Sequence, residues 1–146
     1  MSAPFRIRDY RPEDFPAIEV LWKAVGMAAP QRGDTAEVIE RSLRIENARL
    51  LVLEKTADES VAGTVWLTCD GRRLLLHHFA VEPTLQGRGL SKILLRASLD
   101  HARAAGLQVK LEVARGNTHA VELYKNAGFT SLGDYEVYIL RDLRRG

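Results

Sequence analysis

The stretch that decides the fold runs from Phe79 to Ser91 and reads FAVEPTLQGRGLS. It begins as an apolar strand, passes through a loop marked by Pro83, and enters a helix after a glycine-rich turn. Gly87 and Gly89 let the backbone approach a ligand closely, because neither residue carries a Cβ. The first N–H groups of the helix have no partner within it and lie at the positive end of the helix dipole. This junction therefore predicts an anion site that suits a pyrophosphate.

A second informative segment reads NTHAVELYKNAGF and runs from Asn117 to Phe129. Together with the first segment it resembles the GNAT family of N-acetyltransferases. The cofactor motif of that family, Q/R-x-x-G-x-G/A, is matched by Gln86, Gly89 and Ser91. Serine stands where glycine or alanine is usual, but it is small, and its hydroxyl can bond a phosphate oxygen. The resemblance is strongest from about 61 to 129.

The periodicity along the chain predicts alternating strands and helices in a single domain over residues 1–146. Strands are expected at 5–10, 49–54, 61–68, 74–81 and 108–113, with one or two closing strands in 129–140, and helices are expected to begin near 11, 35, 88 and 118. A strand, helix, strand unit over 74–113 requires a parallel pair, whereas the preceding hairpin is antiparallel. With the resemblance, this predicts an α/β (α+β) GNAT fold: a mixed, mostly antiparallel sheet of six to seven strands with a splayed parallel pair, flanked by about four helices.

The resemblance implies that the cofactor is acetyl-CoA and that no metal takes part. In the family, the strand that corresponds to 74–82 bulges and splays from its neighbour at 108–113, and the pantetheine arm lies in the gap. The backbone of Phe79, Ala80 and Val81 is thereby implied to bond the pantetheine amides, while the side chains of Phe79 and Val81 are expected to pack in the core. The remaining cofactor contacts are assigned to Gln86, Gly87, Arg88, Gly89, Leu90, Ser91, Lys92 and Asn117. Asn117 is also expected to cap its helix.

Tyr124 is implied by the resemblance to be the general acid that protonates the departing CoA thiolate. A phenol with a reference pKa of ~10 is protonated at neutral pH, and that pKa lies above the ~8.5 of an ordinary thiol. The alternative is a tyrosine half buried between a helix and the sheet.

Glu112 lies in the strand sequence Leu111-Glu112-Val113 between apolar neighbours that point to the other face. Glutamate is depleted in strands, so this one indicates either an exposed edge or a function. The stretch, followed five residues after Glu112 by Asn117, resembles ribosomal-protein N-terminal acetyltransferases within the family, in which this glutamate deprotonates the amine, directly or through water. An exposed strand residue or a salt-bridge partner is the alternative, and both interpretations stay open.

His77 and His78 are adjacent on the central strand, so strict alternation predicts one on each face of the sheet. One of them is a candidate auxiliary base, because imidazole titrates near neutral pH. A histidine satisfied within the core is the alternative for both. The two residues do not have the spacing of metal ligands.

The composition excludes several other classes of protein. The net charge is +2, from 21 basic and 19 acidic residues, which is too balanced for a nucleic-acid surface. The single Cys69 cannot form an internal disulfide and suits a reducing compartment. Residues 1–10 lack the apolar stretch of a signal peptide, and no run approaches the ~18 apolar residues of a membrane span. We therefore expect a cytoplasmic protein without nucleic-acid or membrane partners; a homodimer is left open.

These observations lead to one functional hypothesis and one alternative. The hypothesis is an acetyl-CoA-dependent N-acetyltransferase in which a primary amine attacks the thioester directly while both substrates are bound. The acceptor is a small-molecule amine or a protein N-terminal amine. The alternative is a catalytically silent acyl-CoA-binding or regulatory module.

Overall fold

The structure, a computed structural model, describes residues 3–145. The chain divides into two compact units, of which the first ends at Glu112 and the second begins at Val113. The first unit contains β1 (Phe5–Asp9), α1 (Phe15–Ala24), α2 (Ala36–Ser42), β2 (Arg49–Lys55), β3 (Val61–Cys69), β4 (Arg73–Val81), α3 (Leu90–Ala105) and β5 (Gln108–Leu111). The second unit contains α4 (Thr118–Asn126). The single domain over residues 1–146 stays a prediction.

The sheet confirms the predicted mixture of strand directions. Its order is β1-β2-β3-β4-β5, and every neighbouring pair is antiparallel except β4 and β5. Short turns join β2 to β3 and β3 to β4, whereas α1 and α2 lie in the chain between β1 and β2. In the turn before β4 the Asp70 Oδ1 accepts hydrogen bonds from the N–H groups of Arg72 and Arg73, at 2.8 Å each. β4 and β5 are joined through the 16-residue helix α3, which gives the chain the length that a parallel pair requires.

The predicted number of strands was too high, because the sheet in the described part of the chain has five. Residues 129–140, where closing strands were expected, form no strand. Apolar and polar side chains alternate over part of it, in Tyr135-Glu136-Val137, but a strand also needs a partner for its N–H and C=O groups, and no ladder reaches this segment. Its apolar side chains are consequently exposed, as Tyr138 illustrates with 87% of its surface accessible.

The predicted helices are all present in the described residues. α1 begins after the short turn Pro12–Asp14 and buries Ile18, Leu21 and Trp22 on one face. α2 begins after Thr35, whose Oγ1 accepts a hydrogen bond from a backbone N–H at 3.2 Å. α3 and α4 begin within two residues of the predicted positions, and the left-handed Gly106 caps the end of α3.

Two helical layers cover the sheet of the first unit. The core cluster brings together side chains from α1, α2 and the strands: Ile18, Leu21, Trp22, Ile39, Leu50, Val52, Trp66 and Ala80. α3 packs on the other face, where Leu94 approaches Gly63 of β3. The site described below therefore forms on a sheet that is packed on both faces.

Gly63 marks a close contact between β3 and β4. A Cβ at this position would lie 2.8 Å from the Ala80 carbonyl oxygen and 3.1 Å from the Leu94 Cδ1. We expect Gly63→Ala to reduce the free energy of unfolding by about 1–3 kcal/mol, because a packed strand has to move to admit the methyl group. Urea denaturation measures this loss. Gly133→Ala is the control, since its Cβ meets nothing closer than the Ser131 Oγ at 3.8 Å; equal losses in the two variants would contradict the packing argument.

Candidate active site

A β-bulge interrupts β4 at the point where the resemblance implied one. β3 pairs Thr64 with Ala80 but Trp66 with His77, so β4 carries one residue more than β3 between these two pairs. His78 adopts a left-handed φ of 47°, which is unfavourable for a residue with a side chain. The Thr64 hydroxyl donates to the His78 carbonyl at 2.9 Å and holds the bulge in place.

β4 and β5 part beside this bulge. Their parallel ladder runs from Arg73 with Gln108 to Leu76 with Leu111, and it ends well before β4 does. β4 continues to Val81 and still pairs with β3 there. The other edge of Phe79–Val81 therefore extends past the last residue of β5. Ala80 and Val81 are 3% and 5% exposed, so the Val81 side chain packs in the core as expected, whereas Phe79 is only partly buried.

The glycine loop connects the end of β4 with the first turn of α3. Gly87 and Gly89 adopt left-handed φ values of 83° and 77°, which explains the need for glycine. Gly89 is the N-cap of α3, and no side chain caps the helix there. The Gln86 Nε2 donates to the Val81 carbonyl at 3.2 Å, which ties the loop back to the strand. A Cβ at Gly89 would meet nothing within 4 Å, so the space in front of the helix is open.

The other predicted loop residues differ in what they offer a ligand. Arg88 and Lys92 are exposed cations on either side of the α3 N-terminus. Ser91 is partly exposed, whereas Leu90 is buried in the core and offers only its N–H group. The loop thus combines two cations with the unpartnered N–H groups of a helix start, an arrangement that favours phosphate.

His77 and Glu112 stand where the two strands part. Each follows directly on the last parallel pair, so they are neighbours in register on the same face of the sheet. Glu112 lies one residue beyond the end of β5 and is exposed. Burial lowers the pKa of His77, while the carboxylates of Glu112 and Asp34 act in the opposite direction. The His77 Nε2 lies 2.9 Å from the Thr68 Oγ1.

The expectation that the two histidines face opposite sides of the sheet was wrong. The rings of His77 and His78 both lie against Trp66, with centroid distances of 6.3 Å and 5.5 Å. The bulge breaks the alternation because the extra residue turns His78 back to the same side. The His78 Nε2 lies 3.0 Å from the Asp34 Oδ2, a contact that the sequence did not indicate. Burial lowers the pKa of His78, and the Asp34 carboxylate acts in the opposite direction.

Two tryptophans pack against the bulge on the face of the sheet that α1 and α2 cover. Trp22 and Trp66 stack with a centroid distance of 6.1 Å, and the His78 ring lies 4.2 Å from that of Trp22. The Trp22 Nε1 donates to the Thr64 Oγ1 at 2.9 Å, and the Trp66 Nε1 donates to the Ser42 Oγ at 3.0 Å. Sequence reasoning missed these roles, because Trp22 and Trp66 could be recognised only as apolar residues of a helix and of a strand.

The second unit holds the two remaining predicted residues, both on α4. Asn117 is the N-cap as expected, since its Oδ1 accepts from the Ala120 N–H at 3.3 Å. Tyr124 is buried, and its ring meets Phe129 edge to face at 5.6 Å. Burial raises the pKa of Tyr124 to about 12, so the phenol keeps its proton at neutral pH.

Within residues 3–145, no group of three or more His, Cys, Asp or Glu side chains is placed to hold a metal ion. None of the helices in this range combines the length and the apolarity needed to cross a membrane.

Comparison with known proteins identifies the family. The model of the acetyltransferase (GNAT) family matches residues 7–129. The chain belongs to the GNAT family. The bulged β4, the parting of β4 from β5 and the glycine loop are therefore features of a GNAT acetyltransferase fold, and the predicted resemblance is confirmed.

Two curated relatives of this GNAT chain are mycothiol acetyltransferases. The chain is 40% identical over 81 residues to that of Clavibacter michiganensis subsp. michiganensis and 39% identical over 80 residues to that of Clavibacter sepedonicus. These matches cover 55% and 54% of the chain but 26% of each relative. The chain thus matches about a quarter of the length of these relatives.

Solved structures confirm the predicted fold class at low sequence identity. An acetyltransferase from Streptococcus agalactiae superposes with a TM-score of 0.77 at 19% identity, covering 95% of this chain and 93% of that one. The ribosomal-protein-S18-alanine N-acetyltransferase of Escherichia coli gives 0.72 at 21% identity, covering 86% and 77%. A predicted acetyltransferase from Clostridium acetobutylicum, solved with acetyl-CoA, gives 0.76 at 14% identity, covering 92% and 96%. At these identities the likeness concerns the fold alone.

Proposed function

We propose that this chain is an acetyl-CoA-dependent N-acetyltransferase that transfers the acetyl group to a primary amine. The observation that carries the proposal is the early end of the β4–β5 ladder beside the glycine loop. It provides an extended backbone edge followed at once by a helix start that favours phosphate. A pantetheine arm with a pyrophosphate at its end has the same two parts in the same order.

In this proposal the cofactor binds mainly to backbone. Phe79, Ala80 and Val81 bond the pantetheine amides, and the pyrophosphate binds the N–H groups of the loop and of the first turn of α3. Arg88 and Lys92 add positive charge beside it. The residues proposed for these contacts are those that the sequence predicted: Gln86, Gly87, Arg88, Gly89, Leu90, Ser91 and Lys92, with Asn117 as a further contact to the arm.

The proposed reaction is a direct attack in a ternary complex. The amine nitrogen attacks the thioester carbonyl, and backbone N–H groups of the bulged strand stabilise the oxyanion, a contact typically worth ~3–4 kcal/mol. Tyr124 donates to the departing thiolate. Glu112 supplies negative charge beside the attacking nitrogen and promotes the loss of its proton. The burial of Tyr124 suits a proton donor that must stay protonated. The exposure of Glu112 suits a carboxylate that the acceptor amine must reach.

The acceptor class in this proposal is a primary amine, either a small molecule or a protein N-terminus. Similarity to mycothiol acetyltransferases favours the first. The resemblance of the stretch from Glu112 to Asn117 to ribosomal-protein N-terminal acetyltransferases favours the second. A panel that contains glucosamine-type and polyamine substrates beside peptides with N-terminal alanine distinguishes the two.

The experiment has two parts. Titration with acetyl-CoA should show binding at micromolar ligand, and thiol release should then appear with at least one amine of the panel. Absence of binding would overturn the proposal. Binding without turnover on any acceptor would instead support the silent acyl-CoA-binding module.

Gly89→Asp tests the cofactor site, because it places a carboxylate in the open space before the α3 N-terminus. We expect acetyl-CoA binding at least about tenfold weaker, or ~1.4 kcal/mol, through repulsion of the pyrophosphate. Gly89→Asn adds a side chain of similar size without the negative charge, so it separates the effect of charge on binding from the effect of size. The matched control is Gly106→Asp at the other end of the same helix, where φ is 71° against 77° at Gly89, so backbone strain is similar. If Gly89→Asp folds and binds acetyl-CoA with unchanged affinity, the loop is an ordinary helix start and not a cofactor site.

A further inference from the structure

The point where β4 and β5 part brings together an imidazole and a carboxylate. The last parallel pair is Leu76 with Leu111, so His77 and Glu112 are the first residues of the two diverging strands. Paired residues of a parallel ladder point to the same face, so continuing the register by one residue puts His77 and Glu112 on the same face of the sheet. The Glu112 carboxylate acts on the titration of His77, which agrees with this placement.

The surroundings of His77 suit a base rather than a core histidine. Thr68 of β3 lies on the same face of the sheet as His77, and its Oγ1 lies 2.9 Å from the His77 Nε2. If Nε2–H donates to this hydroxyl, the tautomer is fixed and the Nδ1 lone pair is left for a proton. The side chain retains exposed surface. The carboxylates of Glu112 after β5 and Asp34 before α2 act on its titration, and His77 in turn acts on that of the neighbouring His78.

We infer that His77 is the group that takes the proton from the acceptor ammonium, and that Glu112 is its electrostatic partner. This inference rests on the proposed function and deepens it, because it assigns the base of the same reaction. It also specifies the acceptor class: an amine that enters the site as an ammonium ion. Such a cation is attracted to a face that carries the Glu112 and Asp34 carboxylates.

The step balances as follows. The ammonium loses one proton to the His77 Nδ1 and becomes a neutral amine. Its nitrogen then forms a C–N bond with the thioester carbonyl carbon, and the C–S bond breaks as the tetrahedral intermediate collapses. Tyr124 gives a proton to the thiolate and regains one from the amide nitrogen. The imidazolium releases its proton to solvent, so the net products are the amide, free CoA and one proton.

The pH dependence of kcat/KM separates His77 from Glu112. His77→Gln should lower kcat/KM by about 10²-fold, a usual contribution of a positioned base, and remove the acidic limb of the profile. In Glu112→Gln that limb should persist but move to lower pH, because the carboxylate that raises the pKa of His77 is gone. A proton NMR titration of the imidazole should show the same shift without any turnover. His77→Asn is the second variant if His77→Gln does not fold.

His101→Gln is the matched control. His101 lies roughly 16 Å along α3 from its start and bonds the Asn47 carbonyl at 2.8 Å, so its loss should leave the profile unchanged. A wild-type profile in His77→Gln, with the limb abolished in Glu112→Gln, would overturn this inference alone and make Glu112 the base. Wild-type protein that binds acetyl-CoA but acetylates no amine would overturn the proposed function itself.

Discussion

Tyr124→Phe is expected to lower kcat by about 10²-fold while acetyl-CoA affinity and fold stay unchanged. Acid catalysis by a positioned group typically contributes ~10²–10⁴-fold. The lower end applies because burial raises the pKa of Tyr124 to about 12, well above the ~8.5 of an ordinary thiol. The phenol is therefore a weak acid toward the developing thiolate, which limits how much proton transfer can contribute. Phenylalanine keeps the edge-to-face contact with Phe129, so packing is retained.

The measurement is a single-turnover rate on a confirmed acceptor, since slow product release can hide a change in the chemical step. Tyr135→Phe is the control, because it removes the same hydroxyl from a tyrosine with 76% of its surface exposed. Wild-type single-turnover rates in Tyr124→Phe would contradict the acid role and leave Tyr124 as a packing residue of α4.

Local signals explain why much of this protein could be predicted from its sequence. A capping asparagine marks the start of α4, and the end of its apolar pattern marks the end of the helix. Both signals lie close together in the sequence. The loop before α3 carries its own chemistry, because Gly87 and Gly89 adopt backbone angles that glycine alone takes easily. Features that depend only on neighbours in sequence are visible in the sequence.

The features that escaped prediction depend on partners far along the chain. The bulge at His78 is contacted by Thr64 of β3, Trp22 of α1 and Asp34 in the loop before α2, and the dipeptide His77-His78 contains no signal for it. The closing strands expected in 129–140 failed for a related reason. An alternating pattern describes which faces a strand would have, but not whether a ladder partner exists.

Glu54→Gln is expected to reduce the free energy of unfolding by about 3 kcal/mol. The Glu54 side chain is fully buried in β2, and its carboxylate accepts hydrogen bonds from Arg6 and, at 2.8 Å, from the Arg8 Nε. Arg8 also pairs with Asp14, and only 13% of its side chain is exposed. Removing the charge leaves a buried guanidinium without one of its two carboxylates, and breaking such a pair costs about 3–5 kcal/mol. The lower value applies because Arg6 is half exposed and water screens it.

The pH dependence of this loss follows from the direction of the pKa shift. The hydrogen bond from Arg8, opposed by burial, lowers the pKa of Glu54 in the folded state. The carboxylate therefore contributes its full stabilisation above the ordinary value of ~4.3 and loses it as the pH falls through the lower folded value. Urea denaturation at neutral pH should show the whole difference between wild type and Glu54→Gln, and a series at decreasing pH should show it shrink. The control is Asp100→Asn, which breaks an exposed ion pair with Arg103 and should leave the urea midpoint of unfolding unchanged. A difference that stays constant down to pH ~2 would mean that the side chain stabilises β2 by packing and not by its charge.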